Sequence, residues 1–118
     1  MARSVNFDSI NAAVAALDTA DGPSKDLQRD AVRALLARLV ERAPGRTVEV
    51  RVPPYGAVQC IAGPRHTRGT PPNVVETDPV TFIKLAVGRI SFDEAVADGL
   101  VAASGTRADL GHLMPLAA

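Results

Sequence analysis

The chain has 118 residues, a length that suits one domain. Thirteen Lys or Arg balance thirteen Asp or Glu, which excludes a generally basic nucleic-acid binder and an acidic solvating tail. No apolar run approaches the ~20 residues that span a bilayer, so stable membrane insertion is not expected.

The segment from Asn6 to Leu17 places Phe7, Ile10, Val14 and Leu17 at helical spacing, with Ser4 or Asn6 as the cap. Asp21-Gly22-Pro23 ends it. Ser24 then caps a second helix running to about Arg42, whose Leu27, Ala31, Val32, Leu35, Leu36, Leu39 and Val40 form a wide apolar face. Ala43-Pro44-Gly45 stops that helix.

The period then changes from 3.6 to 2. Arg46 to Val52 alternates strictly, with Val48, Val50 and Val52 on one face of a strand. Pro53-Pro54-Tyr55-Gly56 is a turn, and Ala57 to Ala62 reads as the return strand of an antiparallel hairpin. Gly63 to Pro72 is a loop, and Asn73 to Thr77 a short strand. Asp78-Pro79 is a cap followed by proline at the first helical position, opening a helix that is apolar nearly all round and ends at Gly88. Ser91-Phe92-Asp93-Glu94 is a capping box for a helix to about Ala97. Leu100 to Ser104 reads as a last strand, and Ala108 to Leu113 as a terminal helical turn. The class is α+β: residues 1–45 a helical part, residues 46–118 a sheet with crossover helices, in one domain.

Only four aromatics are present, Phe7, Tyr55, Phe82 and Phe92, so Ala, Val and Leu must supply most of the core. A core of that kind is adequate but not generous, which leaves room for a homodimer. Arg outnumbers Lys eleven to two, a bias read as GC-rich coding before it is read as function. The start of the chain lacks the apolar core of a signal peptide, and one cysteine allows no internal disulfide. The default setting is cytoplasmic.

Few residues bear the marks of chemistry. Cys60 with His66 could form a nucleophile and base, although a lone strand cysteine more commonly serves as a small core hydrophobe. His66, His112, Glu76 and Asp78 lack metal-ligand spacing, and no phosphate-binding glycine loop or nucleophile elbow occurs, so neither a metal nor a cofactor is expected and no residue is assigned as catalytic. The loop Gly63-Pro64-Arg65-His66-Thr67-Arg68-Gly69-Thr70 gathers cations and hydroxyls. It can hold an anion, with Arg65, His66 and Arg68 as head-group contacts, or lie exposed with its arginines paired to the acidic C-terminal half. Phe82, Ile83, Leu85, Ile90 and Phe92 are the bulkiest apolar group in the chain. They either line a cavity for an aliphatic ligand or are simply core.

The run Asp78, Leu85, Gly88-Arg89-Ile90, Ala95, Gly99, Val101, Gly105 resembles the C-terminal half of sterol-carrier-protein-type domains, over roughly Asn73 to Leu116. With Val-Pro-Pro-Tyr-Gly-Ala-Val-Gln-Cys and Arg-His-Thr-Arg-Gly-Thr-Pro-Pro-Asn, the whole chain looks like the small actinobacterial members of that family. The resemblance implies a sterol-carrier-protein-like domain: about five mostly antiparallel strands covered by helices, with an apolar tunnel between the layers. It implies non-catalytic binding and transport of a fatty acid, acyl-CoA or sterol-like ligand. Phe82, Ile83, Leu85, Ile90, Phe92 and Leu113 would then contact the tail, and Arg65, His66 and Arg68 an acidic head. The alternative is a scaffold or protein-interaction module on the same fold, with no lipid. The tail after Gly105 is brief, so only Ala108 to Leu116 can help to close a tunnel.

Overall fold

A computed structural model describes residues 7–63 and 73–117. The loop cations Arg65, His66 and Arg68 and the caps Ser4 and Asn6 lie outside the described residues.

The first helix, α1 (Phe7–Leu17), buries Ile10 and Ala13, while Phe7, the first member of its expected stripe, is 48% exposed. Helix α2 (Lys25–Arg42) starts where the Ser24 hydroxyl accepts a hydrogen bond from the Leu27 N–H at 3.2 Å. Ala31, Val32, Leu35, Leu36 and Leu39 give α2 one buried face. Each large side chain so buried contributes about 1.5–3 kcal/mol of transfer free energy, which is why an element of mixed charge holds its place.

Strands β1 (Val48–Val52) and β2 (Gly56–Cys60) form the expected antiparallel hairpin, with Val50 opposite Val58. Strand β3 (Asn73–Thr77) pairs parallel to β1 on its other side, and β4 (Val101–Ser104) pairs antiparallel to β3. The order is β2-β1-β3-β4, so the described sheet has four strands rather than about five. Two of its three pairings are antiparallel. The parallel pairing of β1 with β3 lies at the centre, since β1 has already spent one edge on its hairpin partner.

Alternation decides which side of the sheet is buried. Val48, Val50, Val52, Cys60 and Val75 have no more than 1% exposure and face the helices. The opposite side carries Ala57, Gln59, Glu76, Ala102 and Ser104, all exposed, together with an ion pair between Glu49 and Arg51. Helices therefore cover one face of the sheet, where the family resemblance implied a covered sheet. Helix α2 packs against β2, α1 and α3, and α4 against β4.

Two short helices complete the layer. In α3 (Pro79–Ala86) the Asp78 carboxylate accepts from both the backbone N–H and the hydroxyl of Thr81, at 3.0 and 2.6 Å. In α4 (Phe92–Ala97) the Ser91 hydroxyl accepts from the Glu94 N–H at 3.1 Å and donates to the Glu94 carboxylate at 3.0 Å. That differs from the usual capping box, in which the glutamate reaches the backbone of the cap residue. Buried Asn73 is satisfied at both ends of its amide, donating to the Thr47 carbonyl and accepting from the Arg107 N–H. It thereby joins the starts of β1 and β3 to the segment after β4.

The expected terminal helical turn is shorter, a 3-10 turn over Gly111–Leu113, and beyond it the chain becomes a strap. Leu116 is buried, and the N–H groups of Leu116 and Ala117 donate to the Ala86 carbonyl at 2.7 and 3.0 Å. From α2, the Arg42 guanidinium donates to the carbonyls of Leu113 and Pro115 at 3.0 and 2.5 Å, and Arg38 to that of Leu116 at 3.4 Å. The strap carries orphan carbonyls that no strand or helix satisfies, and two arginines on the polar side of α2 supply the donors.

Candidate functional site

A groove of about 590 Å³ opens where the end of α3, the start of α4 and the C-terminal strap meet. The chain turns sharply there. Gly88 takes φ +80°, a left-handed conformation that costs glycine little, and Arg89 donates back to the Lys84 carbonyl at 2.8 Å. This turn swings Ile90 and Phe92 under the strap. The apolar part of its lining comes from Leu85, Ile90, Phe92, Met114 and Pro115, with Leu85 and Phe92 themselves largely buried.

The rim is charged. Arg89, Asp93, Glu94, Asp109 and His112 stand around the opening. The Arg89 guanidinium is held by Asp18 at the end of α1 through two parallel bonds, at 2.8 and 3.1 Å. The pairing lowers the Asp18 carboxyl below its ordinary range and raises Arg89, through the hydrogen bonds first and the charge attraction second. The Asp109 carboxylate accepts from the Gly111 N–H at 2.8 Å, which bends the strap against the rim.

The six apolar side chains expected on a tunnel wall separate into two groups. Leu85, Ile90 and Phe92 line the groove. Phe82 and Ile83 do not: both have 0% exposure. A side chain with no surface open to a water-sized sphere borders no void of that size, so these two are filler between the helices and the sheet. Leu113 is half-buried against the core, while its neighbours Gly111, His112 and Met114 face the groove. The concavity is thus an open groove at one end of the helical layer, reached by half of the expected residues. The expected head-group contacts Arg65, His66 and Arg68 fall outside the described residues.

Arg89, Asp93, Glu94, Asp109, Met114 and Pro115 belong to the site without having been singled out as ligand contacts. Apolar periodicity carries no signal for them, because Asp93 and Glu94 are polar residues of the first turn of α4 and the others sit at a turn or in the irregular strap. The one available cue was the Gly88-Arg89-Ile90 turn, which the resemblance had already flagged as a unit.

Cys60 faces the core with 0% exposure, and burial pushes its thiol up to about 11. It is therefore almost wholly protonated at neutral pH, when nucleophilic attack needs the thiolate. His66, its sequence-inferred partner, lies outside the described residues. Among the described residues no group of three or more His, Cys, Asp or Glu could hold a metal ion. Among the same residues no helix is long and apolar enough to cross a membrane.

No curated protein matches the chain at a significant level. A comparison with protein families matches residues 24–116 to the family described as bacterial SCP ortholog. The match begins at the cap of α2 and ends at the buried Leu116 of the strap, so it takes in the whole sheet, α2 to α4 and every element of the groove. The chain belongs to this sterol-carrier-protein-like bacterial family.

Proposed function

We propose that the protein binds and carries, without catalysis, an aliphatic lipid-type ligand whose chain lies in the groove between α3, α4 and the strap. The observation that carries this reading is the composition of that groove, in which the apolar side chains of Leu85, Ile90, Phe92, Met114 and Pro115 lie beside charged ones. Its 590 Å³ falls within the ~300–1,000 Å³ of small-molecule sites. Membership of a sterol-carrier-protein-like family adds support from an independent direction.

Binding strength follows from the shape. A fully buried methylene contributes about 0.8 kcal/mol, and an open groove covers only part of the chain, so each methylene contributes roughly half of that. A ten-carbon chain then gains about 4 kcal/mol before ordering costs, a millimolar scale, so a ligand retained through purification needs a longer chain. The buried, protonated Cys60 thiol supports a non-catalytic role, and a lone free thiol suits a reducing, cytoplasmic setting.

Native mass spectrometry of protein purified from its natural host, before and after organic extraction, tests this reading. The expected result is an extra mass that extraction removes and that is identified as an aliphatic compound. A clean apo mass that stays unaltered after incubation with long-chain alcohols, amines and acids contradicts it.

A second reading has its own support. The core around Phe82 and Ile83 is packed without exposure, and among the described residues no helix covers the far side of the sheet. A scaffold that docks a protein, or a homodimer formed through that face, would have this construction. That face mixes Ala57, Gln59 and Ser104 with the Glu49 and Arg51 pair, and at the β3–β4 end it carries a smaller depression of about 310 Å³ lined by residues that include Glu76, Leu100 and Ala102.

A further inference from the structure

Given that the groove is the ligand site, we propose that it selects single-chain amphiphiles with a cationic head, an alkylammonium above all, and discriminates against fatty carboxylates. Three observations meet in one place. The lining includes the apolar side chains of Leu85, Ile90, Phe92, Met114 and Pro115, against which an alkyl chain can lie. Around it, the described rim carries three carboxylates, Asp93, Glu94 and Asp109. The one arginine on that rim, Arg89, is already gripped at two points by Asp18.

The state of each carboxylate matters. Asp109 spends one oxygen on the Gly111 N–H, and Glu94 spends one on the Ser91 hydroxyl, so each is oriented by a local bond and keeps a second oxygen free for a donor. Asp93, in the first turn of α4, has no ion-pair partner among the described residues. Neither local donor cancels the charge of its acceptor. An ammonium entering this rim meets carboxylate acceptors, whereas a carboxylate meets like charge.

Arg89 is the group that would otherwise reverse this preference. A guanidinium is a natural carboxylate receptor because its paired N–H groups match the two oxygens of a carboxylate. Here that fork is occupied by Asp18, from a different helix. A fatty carboxylate must therefore displace an existing pair of the same chemistry and gains little by the exchange. Asp18 acts as a built-in competitor that leaves the described rim residues net negative. His112, the remaining polar ring on the rim, offers donor and acceptor atoms to an uncharged head as well, which places alcohols between the two charged classes.

The test is calorimetric titration with three probes of equal chain length, dodecylammonium, dodecanol and dodecanoate, each below its solubility or micelle threshold and at low ionic strength. The expected order is ammonium, then alcohol, then carboxylate, with about tenfold or more between the first and last. The gap shrinks at high salt, since partly exposed charges are screened. A double substitution, Asp93→Asn with Asp109→Asn, keeps the local hydrogen bonds and leaves exposed positions exposed. It should bring the ammonium and carboxylate affinities together. Carboxylate binding as tightly as ammonium, or a preference that the double substitution leaves unchanged, overturns the selection while leaving the groove as the ligand site. Failure of all three probes to bind overturns the groove reading itself, and the selection with it.

Discussion

Asp18, at the C-terminal end of the first helix, grips Arg89, on the rim of the groove, with two parallel hydrogen bonds of 2.8 and 3.1 Å across 71 positions of sequence. The pair ties α1, which otherwise touches mainly α2, to the turn from which the groove is built. Both side chains are substantially exposed, so the contact governs charge and geometry more than global stability.

Asp18→Asn releases the Arg89 guanidinium while keeping a side chain of the same size. Affinity for dodecanoate should rise several-fold and affinity for dodecanol should stay the same. Isothermal titration checks both, and an equal change for the two ligands would remove the competitor role of Asp18.

The same pair has a signature in acid. The folded carboxyl of Asp18 lies below its unfolded value, so its contribution is complete above the ordinary carboxylate range and disappears as pH falls through the lowered folded value. The difference in Tm between the native protein and Asp18→Asn should therefore be constant near neutrality and shrink below about pH 4. A difference that grows in acid contradicts the assignment.

Phe82 and Ile90 should respond in opposite ways to truncation. Phe82→Ala opens a cavity in a site with 0% exposure and should cost about 3–5 kcal/mol of stability in a urea titration. Ile90→Ala removes a half-buried side chain from the groove lining and should cost clearly less stability, yet weaken dodecanol binding several-fold. Selective loss of binding in still-folded Phe82→Ala would restore the interior tunnel.

Cys60 should resist a thiol reagent at neutral pH in the native protein and react fully in denaturant. With a folded value of about 11 set by burial, the folded thiol holds its proton through a range where the unfolded thiol has lost it. Stability should therefore fall between about pH 9 and pH 11 in the native protein, and less so in Cys60→Ala. Fast labelling without unfolding would show that the thiol is reachable.

Arg42→Ala removes the donors to the Leu113 and Pro115 carbonyls. Because Arg42 is exposed, the global cost should be only about 1 kcal/mol. The local effect should be larger, seen as faster hydrogen exchange at the Leu116 and Ala117 amides, whose partner is the Ala86 carbonyl. Unchanged exchange at those amides would mean that Arg42 does not hold the strap.

Elements written in periodic or capping patterns were legible in the sequence. Ser24, Asp78 and Ser91 each cap the helix they announce, and the alternation of Val48, Val50 and Val52 marks the buried face of β1. The parallel pairing of β1 with β3 was not legible, because strand partners are chosen by the packing of α2 and α3 over the sheet and leave no local trace. Phe82 and Leu85 belong to the same apolar helix, and periodicity alone could not tell which would face the groove and which the core. The strap was the least legible part. Its position depends on Arg38 and Arg42, more than seventy positions away, meeting carbonyls that have no side-chain signature.

Chemical-shift mapping of the backbone amides during a dodecanol titration tests the central claim most directly. The account predicts that shifts concentrate at Leu85, Arg89, Ile90, Phe92, Gly111 and Met114, saturate, and are lost in Ile90→Ala. Shifts centred on Ala57, Gln59 and Ala102 on the uncovered side of the sheet, or no saturable shift at all, would contradict it and leave the scaffold reading in its place.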